Sequence, residues 1–385
     1  MIIVFGTGIW AKRMLPHEYE LEIGLFIDNN PQKQKERFWG YDVEAPIAVM
    51  NIKYDFIVLT SERYEQEMRE QLLSYGVEAE KIICAWEMKI FNLEEKNTDS
   101  PEPKSALYNV KIRNSKEYEA LHWDYADVEM EAVLGNMVWG TKRKRIWYPG
   151  RCQVCGKNTN LLIDNECSEG APKVNFRERM VCPICQLNNR QRVMVRLVLD
   201  EIDSGSLVYL TEQVTSVYQA FRKYHKNVIG SEYLDPDIAG GTINENGIRH
   251  EDLMKLSFGD EELDCIVSND VLEHVASIEK ALREIYRVLR VGGTFYATFP
   301  MHFTQKDTKK RAQINDRGTI EYLLEPIYHG NPVSSEGSLV FYDYGWDLMS
   351  LVKETGFSDA FFMPFYSVPY GNLGVNSLFI FVARK

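Results

Sequence analysis

The segment LDCIVSNDVLEHV, residues 263–275, decides the fold of the C-terminal half of this chain. Its first part, Leu263 to Val267, is predicted to form a buried strand. In an open α/β sheet, ligands bind in the crevice outside the carboxyl ends of the strands. We therefore expect the polar residues that follow this strand to lie near a pocket. They are Asn269, Asp270, Glu273 and His274.

The sequence that follows this segment predicts a helix and then another strand. The helix covers residues 278–289 and is amphipathic. Its apolar stripe consists of Ile278, Leu282, Ile285 and Leu289. Gly292-Gly293 then allows the chain to reverse into a strand over residues 295–299. Strands that alternate with helices in this way predict a parallel sheet.

Several short motifs occur in a fixed order between residues 247 and 300. They are an acidic residue before Leu-x-Phe, a Leu-Asp strand, Leu-Glu-His-Val, and Arg-Val-Leu-x-x-Gly-Gly. Together they resemble the class I methyltransferases of type 11 that depend on S-adenosylmethionine (SAM). The resemblance implies a Rossmann-like sheet in the C-terminal half and SAM as the cofactor.

The same resemblance implies which residues contact SAM. In such enzymes the acidic residue before Leu-x-Phe contacts the adenine, and here it is Asp252, followed by Leu253. The acidic residue that ends the second strand holds the ribose hydroxyls, and here it is Glu232. A carboxylate suits this position, because its two oxygens can accept hydrogen bonds from two hydroxyls. Asn269 completes the expected cofactor side of the pocket.

The first motif departs from the pattern of the family. A strand over residues 207–210 should lead into a glycine-rich turn, but the turn reads Thr211-Glu212-Gln213-Val214-Thr215 and contains no glycine. Without glycine, close approach of a cofactor to the backbone is harder. Either Thr211 and Glu212 contact SAM through their side chains, or SAM binding is weak or lost.

Methyl transfer needs an acceptor that loses its proton at or before attack. His274 is a candidate base, because the ordinary pKa of histidine lies near neutrality. A packing role for His274 is the alternative, and Asp270 and Glu273 could equally position the acceptor. Polar, aromatic loops around His329 and over residues 344–347 could build an acceptor site above the sheet edge, or they could be plain surface turns.

Four of the seven cysteines form two Cys-x-x-Cys pairs, as two knuckles of a zinc ribbon would. The expected ligands are Cys152, Cys155, Cys182 and Cys185. Four thiolates fill a tetrahedral shell, so the zinc would be structural. Gly156 suits the positive φ that such turns need. The alternatives are four buried cysteines without metal and a redox dithiol. Of the other three cysteines, we expect that Cys167 is not a ligand and that Cys84 and Cys265 are core residues.

A glycine turn follows the first predicted strand and opens a helix, as in a dinucleotide-binding motif. The residues expected to bind a nucleotide are Gly6, Gly8, Ala11, Asp28 and Asn29. The amides at the helix start favour a pyrophosphate. Residues 1–90 resemble the Rossmann-like N-terminal domains of sugar acetyltransferases and other polysaccharide-building enzymes, which implies binding of a nucleotide sugar. A purely structural domain is the alternative, and NAD redox chemistry is disfavoured.

These motifs divide the chain into four parts and predict an α/β fold with two Rossmann-like domains, the N-terminal one nucleotide-binding and the C-terminal one of the class I methyltransferase type. A linker and a small zinc ribbon join them. The parts are the nucleotide(-sugar)-binding domain 1–95, a mixed connector 96–150, the ribbon 151–190 and the methyltransferase-like domain 191–385. Residues 94–105 are polar and proline-bearing, which is typical of a linker.

Composition excludes several classes of protein. The chain has 385 residues, a formal net charge of −12 and 45% hydrophobic residues, as expected of a globular protein. The negative charge disfavours nonspecific binding to nucleic acid or anionic membranes. No apolar run is long enough to span a bilayer, and the start of the chain lacks the basic region of a signal peptide. We therefore expect a cytoplasmic protein.

Three functions remain open at this point. The first is a SAM-dependent methyltransferase for a sugar or nucleotide-linked sugar, in polysaccharide or glycan biosynthesis, with a small-molecule partner and an undetermined homo-oligomeric state. The second is a zinc-ribbon RNA methyltransferase. It would use the basic residues near the ribbon, namely Arg177, Arg179, Arg190, Arg192 and residues 142–145. The third is a non-catalytic scaffold with a degenerate SAM site.

Overall fold

The computed structural model describes most of the chain, in ten segments. They are residues 1–8, 11, 23–38, 40–61, 64–84, 110–123, 125–141, 144–168, 170–331 and 333–385. The predicted linker at 94–105 and the basic residues 142 and 143 lie outside these segments. The chain divides into two compact units. Unit 1 comprises Met1–Lys104, Trp123–Asn189 and Ser367–Val375, and unit 2 comprises Ser105–His122, Arg190–Tyr366 and Asn376–Lys385.

Unit 1 begins with a six-stranded sheet whose strand order is β3-β4-β2-β1-β5-β6. Its strands are β1 (Ile2–Phe5), β2 (Ile23–Ile27), β3 (Arg37–Phe38), β4 (Tyr41–Glu44), β5 (Phe56–Leu59) and β6 (Ile82–Cys84). All neighbouring strands pair in parallel except β3 and β4. The central strands are apolar and buried, as parallel strands covered on both faces must be. Helix α1 (Glu65–Ser74) connects β5 towards β6.

The remainder of unit 1 contains one long helix and one hairpin. The long helix is α3 (Tyr125–Gly140). It is numbered after a short helix of unit 2, α2 (Ser115–Glu119), which comes earlier in the chain. Strands β7 (Arg145–Cys152) and β8 (Lys157–Asp164) pair in antiparallel register along their whole length. Inside this unit, Glu131 of α3 accepts hydrogen bonds from the amides of Gly374 and Val375, at 2.6 and 3.0 Å.

Unit 2 contains the second six-stranded sheet, with strand order β10-β9-β11-β12-β20-β19. Its strands are β9 (Val208–Leu210), β10 (Val228–Gly230), β11 (Leu263–Asn269), β12 (Leu289–Thr298), β19 (Asp359–Pro364) and β20 (Phe379–Arg384). The strands from β10 to β12 are parallel, and β20 is antiparallel to both neighbours. The chain leaves β9 for the edge at β10 and returns past β9 to β11. This reversal is a topological switch point, where open α/β sheets bind ligands.

Four helices belong to this half of the chain. They are α4 (Asn189–Glu201), α5 (Ser216–Tyr224), α6 (Ile278–Val288) and α7 (Asp347–Thr355). Helix α6 buries Ile278, Leu282 and Ile285, which confirms the predicted stripe. Leu289 was expected to end this helix and instead begins β12, where it pairs with Leu263. The predicted strand at 295–299 therefore starts six residues earlier.

Between β12 and β19 the chain forms short strands, namely β13 (Lys309–Lys310), β14 (Ala312–Ile314), β15 (Ile320–Tyr322), β16 (Tyr328–Asn331), β17 (Ser334–Leu339) and β18 (Tyr342–Asp343). They pair antiparallel two by two, β13 with β18, β14 with β15 and β16 with β17. The expected loop around His329 is thus a strand, because β16 and β17 pair through backbone hydrogen bonds. Among the residues that the structure describes, no helix has the length and apolar character needed to cross a membrane.

Candidate functional site

The loop after β9 and the end of β11 meet at the switch point. The amide of Thr211 donates to the carbonyl of Val267 at 3.1 Å, and the Thr211 hydroxyl donates to Ser268 at 3.1 Å. Next to it, Asn269 donates to Oε1 of Glu212 at 2.6 Å. The expected neighbours Thr211, Glu212 and Asn269 therefore do lie together at this edge of the sheet.

Glu212 is a buried carboxylate with a defined set of partners. Glu212 is 8% exposed, and its Oε2 accepts a hydrogen bond from the hydroxyl of Thr215. Burial raises the pKa of Glu212, although the hydrogen bonds from Thr215 and Asn269 oppose this shift. Thr298, at the end of β12, donates to the side-chain oxygen of Asn269 at 3.2 Å. Sequence reasoning missed Thr298, although its place at the carboxyl end of a neighbouring strand could have indicated it.

Glu232 follows β10 and holds the loop that replaces the glycine turn. Its Oε1 accepts hydrogen bonds from the amides of Gln213 and Val214, at 2.7 and 2.9 Å. The residue is 6% exposed, and burial raises the pKa of its carboxyl against the effect of these two bonds. No described residue donates to Oε2. One oxygen of the expected ribose-binding carboxylate is thus used within the protein, and the other has no donor among the described residues.

The side chain of Gln213 completes the support of this loop. Its amide nitrogen donates to the carbonyl of Gly247 at 2.8 Å, and its oxygen accepts from the amide of Arg249 at 2.8 Å. The loop after β9 is therefore tied to the neighbouring segment by side-chain hydrogen bonds. Gln213 was not among the expected site residues, and its position in the first motif was the signal that could have revealed it.

The acidic pair Glu251-Asp252 divides into a structural and a more exposed carboxylate. Glu251 is 3% exposed and accepts from Arg249 (2.8 Å) and from the amide and hydroxyl of Ser257 (2.9 and 2.6 Å). Asp252 is only half-buried, and its Oδ1 accepts from the amide of Met254 at 2.8 Å. Of the two acids, Asp252 therefore has the carboxylate oxygen without a donor among the described residues. Leu253 beside it is buried.

Asp270 points towards a buried arginine. Its carboxylate lies 3.1 Å from Nη2 of Arg190, whose Nη1 donates to Thr298 at 3.2 Å. Asp270 has a φ of +51°, and its amide donates to the carbonyl of Thr298 at 2.7 Å. A non-glycine residue in the left-handed region is uncommon, and such residues are enriched at functional sites. Asp270 is therefore held by its partners at the carboxyl end of β11.

Glu273, His274 and His329 form a second cluster, which we call the Glu-His-His cluster. Nε2 of His274 and Nδ1 of His329 lie 3.7 and 3.6 Å from Oε1 of Glu273. The two imidazole rings meet edge-on with centroids 5.1 Å apart. Sequence reasoning proposed all three residues, and the pairing of β16 with β17 brings His329 to the other two.

The four predicted zinc ligands converge. The Sγ atoms of Cys152, Cys155, Cys182 and Cys185 all lie within 4.8 Å of one another. Both knuckles close through a hydrogen bond to the first cysteine, from the amides of Gly156 and Gln186 at 2.8 Å. Gly156 has the expected positive φ of +67°. Cys167 is exposed and is not part of this cluster, while Cys84 and Cys265 are buried as predicted.

The N-terminal glycine turn is tied to the next strand. Asp28, which follows β2, accepts from the amide and the hydroxyl of Thr7 at 2.8 and 2.7 Å. Burial would raise the pKa of Asp28, but hydrogen bonds from Asn30 and Thr7, together with the charge of Lys33, bring it below its ordinary value. Gly6 has a φ of +106°, and a side chain there would meet the Thr60 hydroxyl.

The other expected nucleotide-binding residues are placed around this turn. Gly8 has open space where a side chain would project, so the close approach at this turn depends on Gly6. Ala11 is fully buried. Asn29 exchanges two side-chain hydrogen bonds with Gln71, at 2.9 and 3.0 Å.

The arginines considered for RNA binding have protein partners instead. Arg192 is fully buried, and Arg190 is paired with Asp270. Arg179 bonds to Asp164, and Arg177 to Glu178. The expectation that these side chains reach phosphates is therefore not supported, because these arginines are buried or already paired with nearby carboxylates.

Two family models match parts of the chain. Residues 213–297 match the model described as "Methyltransferase domain", and residues 1–83 match the model described as "C2185-like, N-terminal". No curated protein matches the chain. The first match begins at Gln213, inside the loop after β9, and includes Glu273 and His274 of the Glu-His-His cluster and most of β12.

Solved structures with methyltransferase folds cover about half of the chain. A SAM-dependent methyltransferase from Mesorhizobium loti has 16% identity and a TM-score of 0.34, covering 51% of this chain and 98% of its own. The 1,6-didemethyltoxoflavin-N1-methyltransferase from Burkholderia thailandensis has 14% identity and a TM-score of 0.30, covering 51% and 78%. A Haloferax volcanii methyltransferase, solved with its Trm112 activator, has 14% identity and a TM-score of 0.32, covering 51% and 90%.

The family match falls on the part of unit 2 that carries the switch point. There the carboxylates Glu232 and Asp252 and the residues after β11 lie at the carboxyl ends of parallel strands, where this fold binds its ligand. The motif resemblance and the family match thus agree over the same residues. They identify residues 213–297 as part of a class I SAM-dependent methyltransferase domain.

Proposed function

We propose that this protein transfers the methyl group of SAM to a sugar or nucleotide-linked sugar in polysaccharide or glycan biosynthesis. The observation that carries the SAM part is the placement of Glu232. It lies directly after β10, beside the switch point, and its Oε1 organises the loop after β9. Its second oxygen is the acceptor that a ribose hydroxyl needs.

The residues around Glu232 fit SAM. Asp252 has a carboxylate oxygen beyond the one bound to Met254, and it suits the adenine amine. The loop over residues 211–215 has no glycine, yet Glu232 and the Gln213 side chain fix it. A fixed loop is preorganised, which lowers the entropy cost of binding. Thr211, the first residue after β9, has a side chain on this loop that could contact the methionine part.

SAM supplies an electrophilic methyl group when bound. The protein has to orient the acceptor and provide for the loss of its proton. The Glu-His-His cluster follows β11 at the carboxyl edge of the sheet, so it is suited to the acceptor side. Nδ1 of His274 donates to the carbonyl of Leu339 at 2.9 Å, since a carbonyl can only accept. Nε2 of His274 is the ring atom that faces Glu273.

The proposal that the acceptor is a sugar rests on unit 1. The turn after β1 combines Gly6 at positive φ with Asp28 at the end of β2, the arrangement used for nucleotide phosphates and riboses. Asp28 already accepts two hydrogen bonds from Thr7 through one oxygen, so its part would be to hold the turn. The turn itself would receive the nucleotide part of the substrate.

We also propose that the four clustered cysteines bind one structural zinc. Thiolates about 2.3 Å from a tetrahedral zinc lie about 3.8 Å apart, and Sγ of Cys152 lies 3.7 Å from Sγ of Cys185. Burial and the neighbouring thiols raise the pKa of Cys155 to about 12. A cation would relieve this by stabilising the thiolates. Four sulfur ligands leave no position for water, so the zinc supports the fold and not the reaction.

Calorimetric titration with S-adenosylhomocysteine tests the SAM part. We expect saturable binding, competed by SAM. A folded protein that gives no heat and no competition would overturn the methyltransferase function in favour of a scaffold. For the substrate, a thermal-shift panel of nucleotide sugars should contain at least one compound that raises Tm. If none does, while RNA oligomers bind with a steep salt dependence, the RNA methyltransferase is correct instead.

A further inference from the structure

The Glu-His-His cluster contains a buried carboxylate that has no hydrogen-bond partner among the described residues. The side chain of Glu273 is 0% exposed, and among the described residues neither of its oxygens accepts a hydrogen bond. A buried, unpaired carboxylate is strongly unfavourable unless a cation compensates it. The groups nearest to it are the two imidazoles, at 3.6 and 3.7 Å, which is too far for hydrogen bonds.

The two histidines present the kind of atoms that bind metals. His274 donates from Nδ1 to the backbone carbonyl of Leu339, a contact that metal-binding histidines very often make. This bond fixes the ring and leaves Nε2 as the ligand atom on the side of Glu273. Nδ1 of His329 approaches the same carboxylate oxygen from β16.

The distances suit one ion between the three side chains. Ligands about 2.1 Å from a metal are separated by about 3.0–3.5 Å in octahedral or tetrahedral sites, so the two distances from the histidines to Glu273 need only a small contraction. All three candidate atoms lie within 4.8 Å of one another. The His329 side chain is 40% exposed, which gives an ion access from solvent.

We infer that Glu273, His274 and His329 form a binding site for a divalent cation of the first transition row. Two imidazoles and one carboxylate favour Mn²⁺, Fe²⁺, Co²⁺ or Zn²⁺ over Mg²⁺ and Ca²⁺, which prefer oxygen ligands. Three protein ligands leave open coordination positions, unlike the four-cysteine cluster. The site is thus suited to bind a further oxygen atom.

The role of this ion in catalysis rests on the proposed methyltransferase function. An acceptor hydroxyl bound to the cation loses its proton to water more readily. Its oxygen then forms the bond to the methyl carbon, while the bond from that carbon to the SAM sulfur breaks and leaves its electron pair on sulfur. The cation keeps its oxidation state, and His274 acts as a ligand and not as the base.

The test is a titration with Mn²⁺ of protein loaded with one equivalent of zinc per chain, which the four-thiolate cluster takes up, followed by electron paramagnetic resonance of the unbound ion. Mn²⁺ is chosen because thiolate sites favour softer ions, so the cysteine cluster does not compete. We expect one site per chain in the wild type. Binding should weaken at least tenfold in E273Q and in H329A.

Matched controls keep the result decisive. His302 is similarly exposed, at 44%, and lies outside the cluster, so H302A should bind Mn²⁺ like the wild type. If E273Q fails to fold, the H329A variant decides the question. The side chain of His329 lies on a partly exposed hairpin, so its loss should be tolerated by the fold. No Mn²⁺ binding in the wild type, or unchanged binding in the variants, overturns the site. A direct ion pair between a protonated imidazole and Glu273 would give that result.

A parallel titration with S-adenosylhomocysteine separates this inference from the function on which it rests. We expect H329A to keep wild-type affinity for this ligand, because His329 is not placed on the cofactor side. Binding of S-adenosylhomocysteine without Mn²⁺ binding would refute the metal site alone. Mn²⁺ binding without S-adenosylhomocysteine binding would refute the methyltransferase function and leave the metal site standing.

Discussion

The carboxylate of Glu232 accepts a 2.7 Å hydrogen bond from the backbone amide of Gln213, and a second bond to the same oxygen comes from Val214. The predicted ribose-binding residue therefore also caps the loop that stands in place of the glycine-rich turn. The Gln213 side chain bonds in turn to Gly247 and Arg249. Cofactor affinity and the stability of this loop should consequently be coupled through Glu232.

Replacing Glu232 with alanine should affect both properties. Hydrogen bonds to a charged, buried acceptor contribute about 1.5–3 kcal/mol each, so we expect unit 2 to lose about 3–6 kcal/mol of stability with the two bonds. Affinity for S-adenosylhomocysteine should fall at least tenfold. Urea unfolding and calorimetric titration measure the two effects.

Glu232→Gln is the matched control for this coupling. Its amide oxygen can still accept from Gln213 and Val214, but it offers only one acceptor atom and no charge. We expect most of the stability to return while the cofactor affinity stays reduced. A Glu232→Ala protein with wild-type affinity would show that the ribose does not lie here.

Asp252→Ala should weaken binding of S-adenosylhomocysteine by about 5–20-fold, the effect of losing one or two hydrogen bonds. Stability should change little, because the Asp252 side chain makes only a local turn with Met254. Glu251→Gln is the comparison. Glu251 holds Arg249 and Ser257 by hydrogen bonds, so this substitution should reduce stability more than cofactor affinity. If Glu251→Gln lowered the affinity more and Asp252→Ala lowered the stability more, Glu251 would be the cofactor-binding acid and Asp252 the structural one.

Cys182→Ser should lower both the zinc content and the thermal stability of unit 1. A serine hydroxyl is a much weaker zinc ligand than a thiolate, and metal binding of this kind contributes directly to folding. Elemental analysis should find about one zinc per wild-type chain. Cys167→Ser is the control and should leave both values unchanged, because Cys167 is exposed and outside the cluster. A zinc-free wild-type protein would contradict the assignment.

Unit 1 should become less stable as the pH rises from about 4.5 to 7. Burial raises the pKa of Glu131 to about 7, and the charge of Asp127 adds to this, although the amides of Gly374 and Val375 oppose it. In this pH range the unfolded state loses the proton that the folded state keeps. The stabilisation is complete below the pKa of Glu131 in the unfolded state. It is lost as the pH rises through the pKa of Glu131 in the folded state, and the loss amounts to up to about 3 kcal/mol.

Glu131→Gln isolates this effect. Glutamine keeps an acceptor oxygen for Gly374 and Val375 but does not titrate. The difference in unfolding free energy between wild type and variant, measured in urea from pH 5 to 7.5, should therefore shift in favour of the variant with rising pH. A difference that does not depend on pH would mean that Glu131 titrates normally in the folded protein.

Much of unit 2 could be predicted from local pattern. The buried run before Asn269 predicted β11, and the stripe on residues 278–289 predicted α6 apart from its last residue. Leu289 was misassigned because its apolar character fits a helix stripe and a strand equally well, and only its pairing with Leu263 decides between them. Asn269 and Glu212 were both expected on the cofactor side of the pocket, because ligands bind at the carboxyl ends of parallel strands, and the structure adds a direct hydrogen bond between them.

The sequence by itself determined the two α/β sheets, the cysteine pairs and the acids at the strand ends, because strand periodicity and motif spacing are local properties. The tertiary structure alone decided that Glu232 supports a glycine-less loop, that Arg190 pairs with Asp270, and that His329 reaches Glu273. These contacts join residues 19 to 80 positions apart. They depend on strand order and hairpin register, which fix neighbours in space that no local pattern records.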